Sequence, residues 1–311
     1  MIDSGKRLMI KFLDATAFED GGSKMDDLVK EFMELLNDED KIEGDIQNFL
    51  EDNSELIPLP FLAGHQLHQS AIISKLPIGN GYISDLAYLT KCSDYWNLVL
   101  MEIEDPKKEI FSKSTEYIRF SAKFNNAYDQ VLSWKAYLEE ENNTAELRKR
   151  VIKLMGQGPI VNIPFYVRYV LIYGRGKDKQ NSEKRIKMFN QKNSMEIQVK
   201  TFDSLISEYE SKPKMPKMIL SPWKENGFLI KKVPSKPIEM WLLGYLNSDY
   251  IKIDREAREN LIVQGYHIEK WEEGEFLTED GKMDKVTRYH SLSDGLIKAV
   301  LGRELKEAGK L

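Results

Sequence analysis

The chain has 311 residues, 41% hydrophobic and 31% charged, which excludes a collagen-like, disordered or disulfide-scaffolded protein. Its 45 basic and 50 acidic residues give 45 − 50 = −5, and it has no run of about 18 apolar residues, so no membrane-spanning helix is expected. Cys92 is the sole cysteine and the opening MIDSGKRLMIKF has no apolar signal core, a combination that points to a reducing cytoplasm.

The first 40 residues read as a helical segment. Leu28, Phe32, Leu35 and Leu36 form a stripe over Met25–Leu36. A second helix is expected over Glu43–Glu51, with Ile46, Phe49 and Leu50 inward, and Pro58 and Pro60 end that region. Three strands then come at hairpin spacing: Ser70–Leu76, Tyr82–Leu89 after the Gly79-Asn80-Gly81 turn, and Tyr95–Ile103. Phe124, Ala127, Val131, Trp134 and Leu138 predict a long helix over Ala122–Glu140, with another over Ala145–Met155. Phe165–Tyr173 reads as a buried strand, Lys179–Asn190 as a helix, Met195–Lys200 as a strand and Thr201–Tyr209 as a helix.

Strands alternating with helices imply an α/β domain with a mixed sheet over residues 41–211. Ser211–Pro216 (SKPKMP) reads as a linker. Beyond it, short strands are expected at Gly227–Val233, Ile251–Ile253, Tyr266–Trp271 and Glu275–Leu277, with a helix at Arg255–Val263. Residues 217–311 therefore read as a small α+β domain.

The chemistry concentrates in LVLMEIEDP, residues 98–106. Alternation puts Leu98, Leu100, Glu102 and Glu104 on one face and Val99, Met101 and Ile103 on the other. Both faces are apolar up to Glu102, so this strand is buried on both sides and ends in two carboxylates. A buried carboxylate needs a neutralising partner. The preceding strand supplies another acid, Asp85, in an otherwise apolar YISDLAYL. Pairing of the two strands would bring these acids within reach of a common ion. Carboxylates with no soft ligand nearby suit Mg²⁺ or Mn²⁺. The other reading of each acid is a carboxylate answered by Lys or Arg at a sheet end. His65 and His68, three apart with no cysteine beside them, do not make a zinc site.

The order Asp, hairpin, Glu-x-Glu, long helix, strand resembles the core of the PD-(D/E)xK nucleases. More specifically, the chain resembles the Shedu anti-phage nuclease family. The resemblance is carried by IEGDIQNFLEDNSELI (42–57), ISKLPIGNGYISDLAYL (73–89), LVLMEIEDPKKEIFSK (98–113), FNNAYDQVLSWKAYLEE (124–140), YVRYVLIYGRGKDKQNSEKRIKMFN (166–190) and VKTFDSLI (199–206). It covers residues 41–210. It implies a restriction-endonuclease-like mixed sheet flanked by helices, between a helical N-terminal segment and the small α+β C-terminal domain.

The resemblance also implies site roles. Asp85 and Glu102 correspond to metal ligands, with the Ile103 carbonyl as a third. Glu104 stands where the commonest form of the motif has a lysine that orients the attacking water. As an acid it could instead hold a second ion or act as a base. Glu43 matches a helix acid that steadies a metal-bound water. Gln130 and Trp134, four apart on one helix face, resemble a Gln-x-x-x-Tyr motif, which places Gln130 near the metal-site water or a phosphate. The family further implies a homo-oligomer, a tetramer among the candidates.

Charge is distributed unevenly. Residues 14–55 hold fifteen acids and three lysines, whereas residues 175–236 hold fifteen basic and seven acidic residues. Solvated helix faces and loops account for such runs in many proteins. A DNA partner would be met by Arg175, Lys177, Lys184, Arg185 and Lys187, through backbone contacts that are sequence-independent and salt-sensitive. The function expected is metal-dependent phosphodiester hydrolysis of DNA in anti-phage defence. Its rivals are a nuclease-derived DNA-binding or sensing scaffold without catalysis, and an interaction protein whose acids form salt bridges.

Overall fold

The structure, a computed structural model, describes residues 22–64, 67–113, 117–156, 159–225, 227–235, 241–244, 246, 248–277 and 287–288. Expectations that fall on residues 1–21, on His65 and His290, and on most of the chain after Leu277 lie outside the described residues. Two compact units divide the chain, Met1–Lys41 and Ile42–Leu311. In the first, α1 (Gly22–Asn37) contains the expected helix, with Phe32 and Leu36 buried.

The second unit opens with α2 (Glu43–Asp52), followed by β1 (Ala71–Gly79), β2 (Tyr82–Lys91) and β3 (Trp96–Ile103). The chain continues through α3 (Ala122–Leu138), α4 (Glu141–Val151), β4 (Phe165–Ile172), α5 (Glu183–Asn190), β5 (Ile197–Lys200) and α6 (Phe202–Ser211). Its remaining elements are β6 (Met218–Trp223), β7 (Gly227–Lys232), β8 (Ile251–Ile253), α7 (Arg255–Val263), α8 (Ile268–Glu272) and the short pair β9 (Glu275–Phe276) and β10 (Thr287–Arg288).

Eight strands form one mixed sheet in the order β5-β4-β3-β2-β1-β6-β7-β8. The pairs β1–β2 and β2–β3 are antiparallel, and β3–β4 and β4–β5 are parallel. The parallel step explains why β3 reads as apolar on both faces, since all eight of its residues are buried. On one face Leu98 and Leu100 join a core with Phe124, Val131 and Trp134 of α3 and Leu147 of α4. On the other, Val99 and Met101 are equally buried, and Gln47 of α2 reaches that side through Ser74. Ser121 caps α3 by accepting from the Phe124 N–H, and Ser182 caps α5 by accepting from the Arg185 N–H. That cap starts α5 later than the expected Lys179.

The strands expected after residue 217 extend this same sheet. β6 pairs parallel with β1 (Ala71↔Met218, Ile73↔Leu220), β7 antiparallel with β6, and β8 parallel with β7. The sequence reading misses β6 because Pro216 and Pro222 bracket its apolar residues and mimic a loop. Tyr266–Trp271, expected as a strand, holds α8 instead: Ile268 and Trp271, three apart, bury together on one helix face.

Gly174, directly after β4, is a close-approach position. Its φ is +61°, and a Cβ there would lie 2.8 Å from the Lys108 carbonyl oxygen and 3.0 Å from Ile110 Cγ1. Glycine thus lets the β3–α3 loop lie on the end of β4. Gly174→Ala is expected to lower stability by roughly 1–3 kcal/mol from backbone strain alone, with the contact against Lys108 adding to it. Denaturant unfolding checks this; an unchanged midpoint would show that the loop does not depend on the close approach.

Candidate active site

The β2–β3 ladder runs through Leu86↔Met101, and the next step along it brings Asp85 to the end of β3. There Asp85 Oδ2 accepts a hydrogen bond of 2.7 Å from the Ile103 N–H. Glu102 points to the α3 face, where Gln130 Nε2 donates to its Oε1 at 2.6 Å. Its Oε2 is buried and has no hydrogen-bond partner. Glu104 comes next, its own N–H donating to the Ile172 carbonyl at 2.9 Å. Asp85, Glu102 and Glu104 are 6%, 8% and 9% exposed. Asp85 and Gln130 thus both engage the end of β3, through the Ile103 N–H and through Glu102.

Like charges held this close and this dry oppose ionisation. Burial is the main cause that raises Glu102 to about 9, and the charges of Asp85, Glu104 and Glu43 push the same way. Glu43, at the start of α2, is raised by burial and by Glu104 and Asp85, with Lys108 and Lys75 pulling it back. Two lysines absent from the sequence reading answer the other acids. Lys75 of β1 donates to Asp85 Oδ1. Lys108 donates to Glu104 Oε2 and lies 3.9 Å from Glu43 Oε2. The acids are thus split between two ammonium groups, and among the described residues no three Asp, Glu, His or Cys side chains form a metal cage. Glu104, which could have held a second ion, is instead engaged by Lys108. What remains open to a cation is the bare Oε2 of Glu102 beside Asp85.

Lys75 reaches Asp85 through an irregular backbone. Ser74 pairs with Leu86 and Leu76 with Ser84, but the Lys75–Asp85 step between them is missing, and Lys75 has φ +53°. A left-handed lysine inside a strand costs about 1–3 kcal/mol.

A second polar layer lies beneath. Gln47 Nε2 donates to the Asp85 carbonyl at 3.3 Å and to Glu51 Oε1 at 3.2 Å. Glu51 is buried, accepts from Ser74 Oγ at 2.6 Å and from Lys231 Nζ of β7 at 2.7 Å, and is lowered overall by these partners against the opposing effect of burial. Lys232 of β7 pairs with Asp52 in the same way. Of this layer, the sequence offered only the odd polar residues Gln47 and Glu51 on the inward side of α2.

The expected DNA-contacting residues divide. Arg175 is buried, with its guanidinium on Asp203 (Nε to Oδ1 3.2 Å and Oδ2 3.1 Å, Nη2 to Oδ1 3.0 Å), so it is a structural ion-pair residue and not a surface cation. Arg185 is half-buried, with Nη1 on the Asp178 carbonyl at 2.8 Å and its guanidinium over Phe111. Lys177, Lys184 and Lys187 are exposed. Trp134 does not face the site; it is fully buried in the core, and its Nε1 has no acceptor. His68 is a packing residue: burial lowers it to about 4, its Nε2 meets the Leu154 carbonyl at 2.6 Å, and its ring packs edge-on against Trp96.

Sheet and site together define an α/β protein with a carboxylate cluster where its central antiparallel and parallel strands meet. Residues 40–206, more than half of the chain, match the family described as Shedu protein SduA, C-terminal, and the chain belongs to that family. No curated protein matches it. Among the described residues, no helix is long and apolar enough to cross a membrane.

Because Glu102 has a higher pKa folded than unfolded, its contribution to stability falls as pH rises above the ordinary carboxylate range. Glu102→Gln should therefore stabilise the protein in EDTA at pH 8, by roughly 1–3 kcal/mol. The difference should vanish near pH 4, where both states are protonated. Thermal unfolding at the two pH values checks this, and a variant less stable than wild type at pH 8 would contradict the assignment.

Proposed function

We propose that the protein is a divalent-cation-dependent deoxyribonuclease that hydrolyses phosphodiester bonds. Membership of the Shedu family implies a place in anti-phage defence. The observation that carries the enzymatic reading is the bare, buried Oε2 of Glu102 next to Asp85. An unpartnered carboxylate oxygen in a dry site is unfavourable for folding alone, and a hard cation is the partner its chemistry suits. Mg²⁺ or Mn²⁺ fits, held by Asp85 and Glu102, with the Ile103 carbonyl as a further oxygen. When bound, the ion would make water a better nucleophile and offset charge gathering on the phosphate.

The chain's own residues do the rest. Asp85 is fixed by the Ile103 N–H, and Gln130 fixes Glu102 by holding its other oxygen. Glu104 and Glu43 share Lys108, which occupies them and does not leave them free for an ion. Lys177, Lys184 and Lys187 would meet the DNA backbone. The protein would act as a homo-oligomer in the cytoplasm, with the helical segment 1–40 and the region 217–311 controlling access to the nuclease core 41–211.

A scaffold without catalysis is the second reading, and the ion pairs on Asp85 and Glu104 favour it. Linear and circular duplex DNA with graded Mg²⁺ or Mn²⁺ separates the two. Cleavage that requires the cation and disappears in Asp85→Ala and in Glu102→Ala, with folding retained, is the expected result. Wild-type cutting by both variants would remove the site, and no cutting by the wild-type protein would favour the scaffold. Glu104→Gln should lower cleavage as much as Glu104→Ala if its charge acts by holding Lys108 in place. Full activity in both variants would remove Glu104 from the machinery.

A further inference from the structure

We propose that Lys75 is the cation that contacts the scissile phosphate of DNA; this rests on the nuclease reading above. A phosphodiester approaching a site lined by Asp85, Glu102, Glu104 and Glu43 needs a positive group that stands beside them and remains open to solvent. Two lysines stand among these acids. Lys108 is clamped between Glu104 and Glu43, and its side chain is only 29% exposed. Lys75 touches a single acid, Asp85, and its side chain is 54% exposed. Its charge is felt by both Glu102 and Glu43, which places it within the field of the whole cluster.

The backbone supports the same assignment. Asp85 is buried, so its pair with Lys75 counts toward stability, and Lys75 takes a left-handed backbone in making it. Lys75 has φ +53° where the β1–β2 ladder omits its pair with Asp85, while Ser74 and Leu76 on either side keep their register. A strained residue inside a strand at a candidate site is a place where a side chain is aimed for use. Here it places the ammonium on Asp85 Oδ1, opposite the oxygen that accepts from the Ile103 N–H. The exposed ammonium beside Asp85 gives an approaching phosphate a positive group at the edge of the carboxylates. Lys75 would hold a non-bridging oxygen there as charge gathers on it.

The test compares Lys75→Ala, Lys75→Arg and Lys75→Gly with the wild-type full chain, using a labelled duplex. Affinity is measured against salt in EDTA, cleavage in Mg²⁺, and melting temperature without DNA. Lys75→Ala should flatten the log–log salt dependence by about 0.9, the loss of one phosphate contact, and slow cleavage about 100-fold or more. Lys75→Arg should restore the slope. Lys75→Gly removes the same charge as Lys75→Ala but should melt above it, because glycine adopts this φ freely. An unchanged slope in Lys75→Ala overturns the proposal, as does an unchanged cleavage rate in a wild-type protein that cuts. A lower melting temperature with an unchanged slope would make Lys75 only a structural partner of Asp85. If the wild-type protein cuts no DNA, the nuclease reading fails by itself, and the slope of Lys75→Ala still decides whether Lys75 contacts phosphate.

Discussion

The hydrogen bond from the Ile103 N–H to Asp85 is the contact on which the site depends. It ties the side chain of one antiparallel strand to the end of the next, β3, which pairs antiparallel with β2 on one edge and parallel with β4 on the other. Because β3 is buried on both faces, the residues just past Met101 must be buried too, and they include Glu102 and Glu104. The fold therefore forces carboxylates into a dry place and must balance them. Lys75 and Lys108 balance Asp85 and Glu104, Gln130 occupies half of Glu102, and one oxygen of Glu102 remains unanswered.

The arrangement extends beyond the family-matched residues 40–206. Lys231 and Lys232 of β7 reach Glu51 and Asp52 of α2, and Lys217 Nζ donates to the Ser54 carbonyl at 2.6 Å. Glu51 in turn shares Gln47 with the Asp85 carbonyl. Removing Lys231 would leave Glu51 buried without its cation, an arrangement far costlier than the loss of a surface pair. The strands after residue 217 are thus built into the support of the site, which explains why they join the central sheet.

Much of this was legible in the chain, for identifiable reasons. The two-faced apolar run Leu98–Met101 announced a buried strand, Asp85 stood out as a lone acid in an apolar strand, and hairpin spacing placed one beside the other. The stripe from Phe124 to Leu138 gave α3 and with it Gln130. What escaped the sequence depends on distant partners. Lys75 reads as an ordinary exposed strand lysine until its φ and its contact with Asp85 are seen. Lys108 reads as one lysine of a polar turn, and Arg175 as a surface cation, because Asp203 lies 28 residues away. Strand β6 was hidden by its prolines.

The proposed metal site turns on Glu102. At neutral pH its raised pKa keeps it protonated in the metal-free protein, so a cation that binds through it must displace that proton. Calorimetric titration with Mn²⁺ in two buffers of different ionisation enthalpy measures the release directly. About one proton should be released per ion bound by the wild-type protein and none by Glu102→Gln. Mn²⁺ binding without proton release, or equal release by the two proteins, would contradict it.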